Sequence, residues 1–131
     1  MKIAFLMDRL EEIDPVWETT SHLMYECNQR GHTVYFLEPH DVYIRDNHIV
    51  ARMWNISVPP DLGMQEYWEC LVQCLKKDDL IFETLTDLDV LFLRKNPPLN
   101  YQVMELLAPV NDQVFMMNST TGQILGNSKL Y

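Results

Sequence analysis

The chain has 131 residues, 47% hydrophobic and 22% charged, a balance that suits one compact domain and excludes a disordered chain. Ten Lys and Arg against nineteen Asp and Glu give a formal charge of −9, a surface that repels phosphate backbones and anionic headgroups, so neither nucleic acid nor a membrane is an expected partner. The longest apolar runs, 3–7 and 90–93, are too short to span a bilayer, Asp8 and Arg9 interrupt any secretory leader, and an odd set of three cysteines (Cys27, Cys70, Cys74) reads as reduced thiols in a cytoplasmic protein.

Residues 2–7 form an apolar run closed by Asp8, the pattern of a strand buried on both faces. Residues 9–17, with their charges and Pro15, read as a loop. Glu18, Thr19 and Thr20 then open a helix to about Arg30, in which Thr20, Leu23, Met24 and Cys27 recur at helical spacing and Gly31 supplies the stop. Residues 33–37 are a second β-rich run, so the chain opens as a βαβ unit, which implies parallel pairing and a right-handed crossover. Residues 42–45 and 48–54, joined by Asp46-Asn47, read as a hairpin laid across an edge, because both turn residues tolerate positive φ. After Pro59-Pro60-Asp61, residues 64–77 suit a helix with Tyr67, Leu71, Cys74 and Leu75 on one side. Asp87-Leu88-Asp89 leads into a third buried strand, 90–93, which ends in Arg94-Lys95-Asn96-Pro97-Pro98. A short helix near 101–108 and a strand at 113–117 complete the alternation. The expected fold is α/β: an open three-layer parallel sheet with a β-hairpin insertion, a single domain over residues 1–131.

Four scattered glycines provide no phosphate-cradling loop and no Walker lysine, so no nucleotide cofactor is expected in this chain. His22, His32, His40 and His48 share no metal-ligand spacing. Cys70 and Cys74 lie one helical turn apart and either share a metal or pack as small hydrophobes. No serine sits at a nucleophile elbow, and no catalytic residue is assigned. Trp17, Trp54 and Trp68 read as packing at element edges, with Trp54 and Tyr67 as interface anchors should they be exposed.

In open α/β sheets, ligands gather at the carboxyl ends of the parallel strands. Those ends carry Asp8 and Arg9, then Glu38, then Arg94, Lys95 and Asn96, with the first and third of these strands expected as neighbours. Arg94 and Lys95 are adjacent cations in a chain short of cations, and the rigid Pro97-Pro98 step follows them. An arginine fork there suits a carboxylate. The residues alone leave two readings open: Arg94 receives an acidic ligand, or it pairs with Asp8 or Glu38 and neutralises the acidic strand ends.

Residues 1–8 (MKIAFLMD), Ile13-Asp14-Pro15, Glu18-Thr19-Thr20, 29–32 (QRGH) and 34–38 (VYFLE) resemble the opening of the prokaryotic glutathione synthetases. Residues 87–98 (DLDVLFLRKNPP) are similar to that family's apolar strand followed by Arg-Lys-Asp-Pro-Pro. Asn118-Ser119 and 127–131 (NSKLY) resemble its Asn-Ser-Pro and Asn-Glu-Lys-Leu stretches. The resemblance implies a Rossmann-like pre-ATP-grasp domain of a ligase that joins γ-glutamylcysteine to glycine through an acyl phosphate, with ATP and Mg²⁺. The nucleotide and metal ligands would lie in an ATP-grasp domain beyond this chain, supplied in cis or in trans, and the chain alone is expected to be inactive. By the same resemblance Arg94 touches the peptide substrate, Lys95 and Asn96 complete its signature, Thr19 and Thr20 match the helix start, Asp8 matches the strand end, and a homo-oligomer is expected.

Asn96 stands where the family has aspartate, Asn100 where an acid often follows, and residues 123–130 lack the family's Arg-Asp pair. These departures keep a second reading open, a stand-alone binding or regulatory module with the fold but without ligase activity. A third, a receiver-like phospho-acceptor, is disfavoured because the acids after the first strand are not doubled.

Overall fold

The structure, a computed structural model, describes residues 1–76, 80–95, 101–117 and 119–120. Its strands are β1 (Lys2–Met7), β2 (Thr33–Leu37), β3 (Val42–Arg45), β4 (His48–Ile56), β5 (Leu80–Thr84), β6 (Val90–Arg94) and β7 (Phe115–Met117), and its helices α1 (Thr19–Gln29), α2 (Met64–Lys76) and α3 (Tyr101–Leu107). The fold is α/β, with helices on both sides of one seven-stranded sheet.

β1 sits between β2 and β6 and is parallel to both, and β7 extends the parallel set beyond β6. The central position explains its composition. Ile3, Phe5 and Met7 enter the core beneath α1 and α2, while Ala4 and Leu6 enter the core beneath α3. A strand with two buried faces reads as continuous apolar sequence because neither face meets water. Phe5 and Phe92, paired in register, stack with ring centroids 4.7 Å apart.

Gly31 closes α1 at φ 80°, the left-handed conformation a helix stop requires. The β3–β4 turn has Asp46 at φ 51° and Asn47 at φ 63°, the paired left-handed values of a twist-matched two-residue hairpin. The hairpin does more than lie across an edge. β4 pairs antiparallel with β3 through residues 48–51 and with β2 through 54–56, so it lengthens the main sheet. β5, absent from the sequence-based expectation, pairs antiparallel with the opposite side of β4. The sheet is therefore mixed, not wholly parallel: a short run such as residues 80–84 carries no period of its own, and long-range pairing decides its conformation.

The condition set for Trp54 and Tyr67 as interface anchors, exposure, is not met. Tyr67 is fully buried, and Trp54 packs against Phe36 in the core, so neither is an exposed anchor. Trp17 corrects the expectation of packing at an element edge: it is exposed at 83% of its free surface, on the loop before α1. Trp68 packs against the α1–α2 core at its edge, as expected. Cys70 and Cys74 are free thiols against that same core, Cys74 donating to the Ser57 carbonyl at 3.5 Å.

Tyr67 sets a cost inside the α1–α2 core. Its ring meets Tyr25 edge-on at 5.3 Å, but its hydroxyl finds no hydrogen-bond partner among the described residues. Burial drives its ionisation well above the ordinary phenol range. A buried hydroxyl without a partner costs roughly 1–3 kcal/mol. Tyr67→Phe keeps the ring and removes that group, so urea unfolding is expected to show a gain of about 1 kcal/mol. A loss of that size would show that the hydroxyl is satisfied.

Candidate functional site

Parallel register brings three strand ends to one rim. The last β1–β6 pair is Met7 with Arg94, and the next step sets Asp8 beside Lys95. The last β1–β2 pair is Leu6 with Leu37, and the next step sets Met7 beside Glu38. Neighbours in parallel register point to the same face. Met7 enters the α1–α2 core, so Arg94 points to that side as well.

Arg94 accordingly meets α1. Its Nε donates to Thr20 Oγ1 at 3.1 Å, and among the described residues its two Nη groups make no hydrogen bond. Thr20 is buried, whereas Thr19, one residue earlier, faces solvent. Lys95 turns the other way in the alternation: its Nζ lies 2.6 Å from Oδ1 of the buried Asp8. Of the two neutralising partners considered for Arg94, Asp8 is thus taken by Lys95, and Arg94 is held by a hydroxyl instead. Asn96 lies outside the described residues, as do Pro97, Pro98 and Asn100.

The start of α1 adds positive potential at the same place. Its first turn holds no acidic residue, and the N-cap Glu18 makes no side-chain cap. Ser21 Oγ, which could have capped, instead donates to the carbonyls of Pro15 and Glu18, each at 2.7 Å. Uncapped first-turn N–H groups carry about half a positive charge. A guanidinium therefore lies against the first turn of a helix whose acid, Glu18, stands at the N-cap and not within the turn, an arrangement that suits an anion at the exposed edge of Arg94.

A second cluster occupies the end of β2. Asp41 is fully buried and receives Arg52 Nη2 at 2.9 Å and Nε at 3.1 Å, while Glu38 N–H donates to its other oxygen at 2.9 Å. His40 Nε2 lies 3.6 Å from Asp41 Oδ1. Sequence reading missed this pair, although the hairpin register, with Val42 opposite Ala51, sets Asp41 opposite Arg52. One oxygen or nitrogen each from Glu38, His40 and Asp41 fall within 4.8 Å of one another. The trio does not suit a cation such as Mg²⁺, because Arg52 already holds Asp41 Oδ1. Burial raises the Glu38 carboxyl above its ordinary range, with Asp41 and Glu11 adding to it and His40 and Arg9 opposing it.

A family model described as prokaryotic glutathione synthetase, N-terminal domain, matches residues 1–122. A glutathione synthetase of Synechocystis sp. is 28% identical over 137 residues, which cover all of this chain and 42% of that protein. A glutathione synthetase of Coxiella burnetii is 28% identical over 135 residues, covering all of this chain and 39% of the relative. One from Brucella melitensis is 30% identical over 129 residues, covering 91% of this chain and 38% of the relative. The chain thus spans about two fifths of the length of the curated relatives it matches. No described helix is long and apolar enough to cross a membrane.

The Asp8–Lys95 contact is short, and its carboxylate is buried, so it should be energetically coupled where exposed pairs are not. A double-mutant cycle of Asp8→Asn and Lys95→Met, read by urea unfolding, is expected to give a coupling of about 1–2 kcal/mol. A coupling near zero would reduce the pair to a surface contact.

Proposed function

The chain belongs to the prokaryotic glutathione synthetase N-terminal domain family, and from that premise we propose that it forms the peptide-binding wall of an ATP-dependent carboxylate–amine ligase of the glutathione synthetase type. Its ligand in this reading is γ-glutamylcysteine. Arg94 receives a carboxylate of the peptide through its Nη edge, and the first turn of α1, Thr19 and Thr20, supplies further donors. Lys95 and Asp8 hold the rim in shape, and Asn96 is assigned to the site from the family's signature. The observation that carries the reading is the hydrogen bond from Arg94 to Thr20, which holds the guanidinium against the first turn of α1, a turn that contains no acidic residue.

In this reading the architecture is the Rossmann-like pre-ATP-grasp domain of that enzyme class. The ligase chemistry, joining the peptide to glycine, belongs to an ATP-grasp domain that acts with this wall in cis or in trans. ATP and Mg²⁺ are assigned to that domain, since the Glu38–His40–Asp41 trio is closed to a cation by Arg52. A cytoplasmic homo-oligomer completes the proposal. The chain alone is read as inactive, and its contribution is to bind and orient the peptide.

A second reading, a stand-alone binding or regulatory module, draws on Asn96 and Asn100, which replace negative charge in the family's signature region. It differs in what it needs: a ligand, but no second domain.

Titration of the chain with γ-glutamylcysteine, followed by ¹H–¹⁵N NMR into the millimolar range, is expected to shift the amides of Thr20, Arg94 and Asp8. Arg94→Ala should weaken binding by about 1.5–3 kcal/mol, the range for a charge-assisted hydrogen bond. A titration that leaves those amides in place would refute the peptide-wall reading. Adding a separately produced ATP-grasp domain and measuring ADP release then separates the ligase from the stand-alone module.

A further inference from the structure

α2 turns one stripe of side chains onto the sheet, and that stripe carries two thiols one helical turn apart. Tyr67, Leu71 and Cys74 are buried beneath the helix, and Cys70 is half-buried at its border. Beside them opens a cavity of about 420 Å³, lined by Ser57 and Pro59 from the segment that joins β4 to α2, and by Glu69, Cys70, Gln73 and Cys74 from α2 itself. Cys74 stands at its wall, where its thiol donates to the Ser57 carbonyl at 3.5 Å. Cys27, the third thiol, packs against the same core from α1 and does not line this cavity. β4 runs antiparallel to β2 with Ile56 opposite Val34, so Ser57 stands at the amino ends of the parallel strands, the edge opposite Arg94.

Side chains four residues apart on a helix have their Cβ atoms about 5–6 Å from each other. That is the spacing at which two histidines of one helix share a zinc ion. A metal held in line between two sulfurs, at about 2.3 Å per bond, needs them about 4.6 Å apart, which two such cysteines reach by turning toward each other. The ligand count then selects the ion. Among the described residues, neither thiol belongs to a group of three metal-ligating side chains whose ligand atoms lie within 4.8 Å of one another. Zn²⁺ takes four ligands and is poorly served by two. Cu(I) is softer, prefers thiolate, and accepts two sulfurs in line. A net charge of −9 draws any cation toward the chain.

We infer that Cys70 and Cys74 form a two-thiolate site for a soft monovalent cation, Cu(I), on the wall of this cavity. Each thiol releases its proton to solvent as its sulfur binds the ion, and no electron is exchanged. Cys74 gives up only its bond to the Ser57 carbonyl, and S–H is a weak donor, so little is lost. The helix holds both sulfurs on one scaffold, which makes the second metal–sulfur bond intramolecular and its effective concentration high. A free monothiol lacks that advantage. The site is independent of the peptide wall, because it lies at the other edge of the sheet and uses none of the residues assigned there.

The test titrates the reduced chain, without oxygen, against the coloured complex of Cu(I) with bicinchoninate, and reads the colour lost as the protein withdraws the ion. The wild-type chain is expected to withdraw one Cu(I) per chain. Cys70→Ser and Cys74→Ala should each weaken binding by about a hundredfold or more, the chelate gain of a second ligand on one scaffold. Cys27→Ser should leave the affinity unchanged. NMR amide dispersion reports whether each variant is folded, and Cys70→Ser, at the half-buried position, decides alone should Cys74→Ala not fold. A wild-type chain that withdraws no Cu(I) overturns the site. So does a Cys70→Ser chain that binds as the wild type does, or a Cys27→Ser chain that loses as much as Cys70→Ser.

Discussion

The parallel register of β1 with β6 is the constraint on which the rest depends. It sets Met7 beside Arg94 and, one step on, Asp8 beside Lys95. A slip of one residue would exchange the two faces of the strand. Arg94 would then turn toward the α3 core, and Lys95 would meet Thr20. Neither core permits the slip: Phe5 and Phe92 stack beneath α1, and Ala4, Leu6, Leu91 and Leu93 fill the opposite side. The apolar packing of β1 is therefore what aims the guanidinium, and the aim costs the site nothing in flexibility.

The charges at the rim divide into those locked in pairs with a buried carboxylate and those that are not. Asp8 with Lys95, and Asp41 with Arg52, are pairs with a buried carboxylate, whose geometry is fixed because an unpaired buried charge would cost several kcal/mol. Arg94 is only partly buried and has a weaker tie, the Thr20 hydroxyl, while the Glu38 carboxylate is turned onto the Asp41 N–H of its own turn. The Asp8–Lys95 pair, one step beyond Met7 and Arg94, fixes the end of β6 beside β1 and with it the position of Arg94.

The legible parts of this fold were those with local signals. The two-faced burial of residues 2–7, the glycine stop at Gly31, and the Asp46-Asn47 turn each carry their cause within a few residues. β5 was not legible, because residues 80–84 acquire strand structure only from β4. The same limit applied to the site. Arg94 stood out as a cation at a strand end, yet its partner Thr20 lies 74 residues away and follows from α1 docking on the Met7 face. The Asp41–Arg52 pair was available in principle from the hairpin register, but only after the turn had been trusted enough to count opposite residues. Trp17 offered no signal at all: its exposure is a property of the loop's path over the sheet.

A net charge of −9 poses a difficulty for any wall meant to receive an anionic peptide, since the long-range field of the chain repels it. At physiological salt that field is screened beyond roughly 8 Å, so only charges close to the ligand decide binding. Arg94 and the α1 N-terminus concentrate positive potential within that distance, where no acid of the helix's first turn cancels it. Acidic composition and anion recognition are thus compatible, because the first acts through solvent and the second through contact.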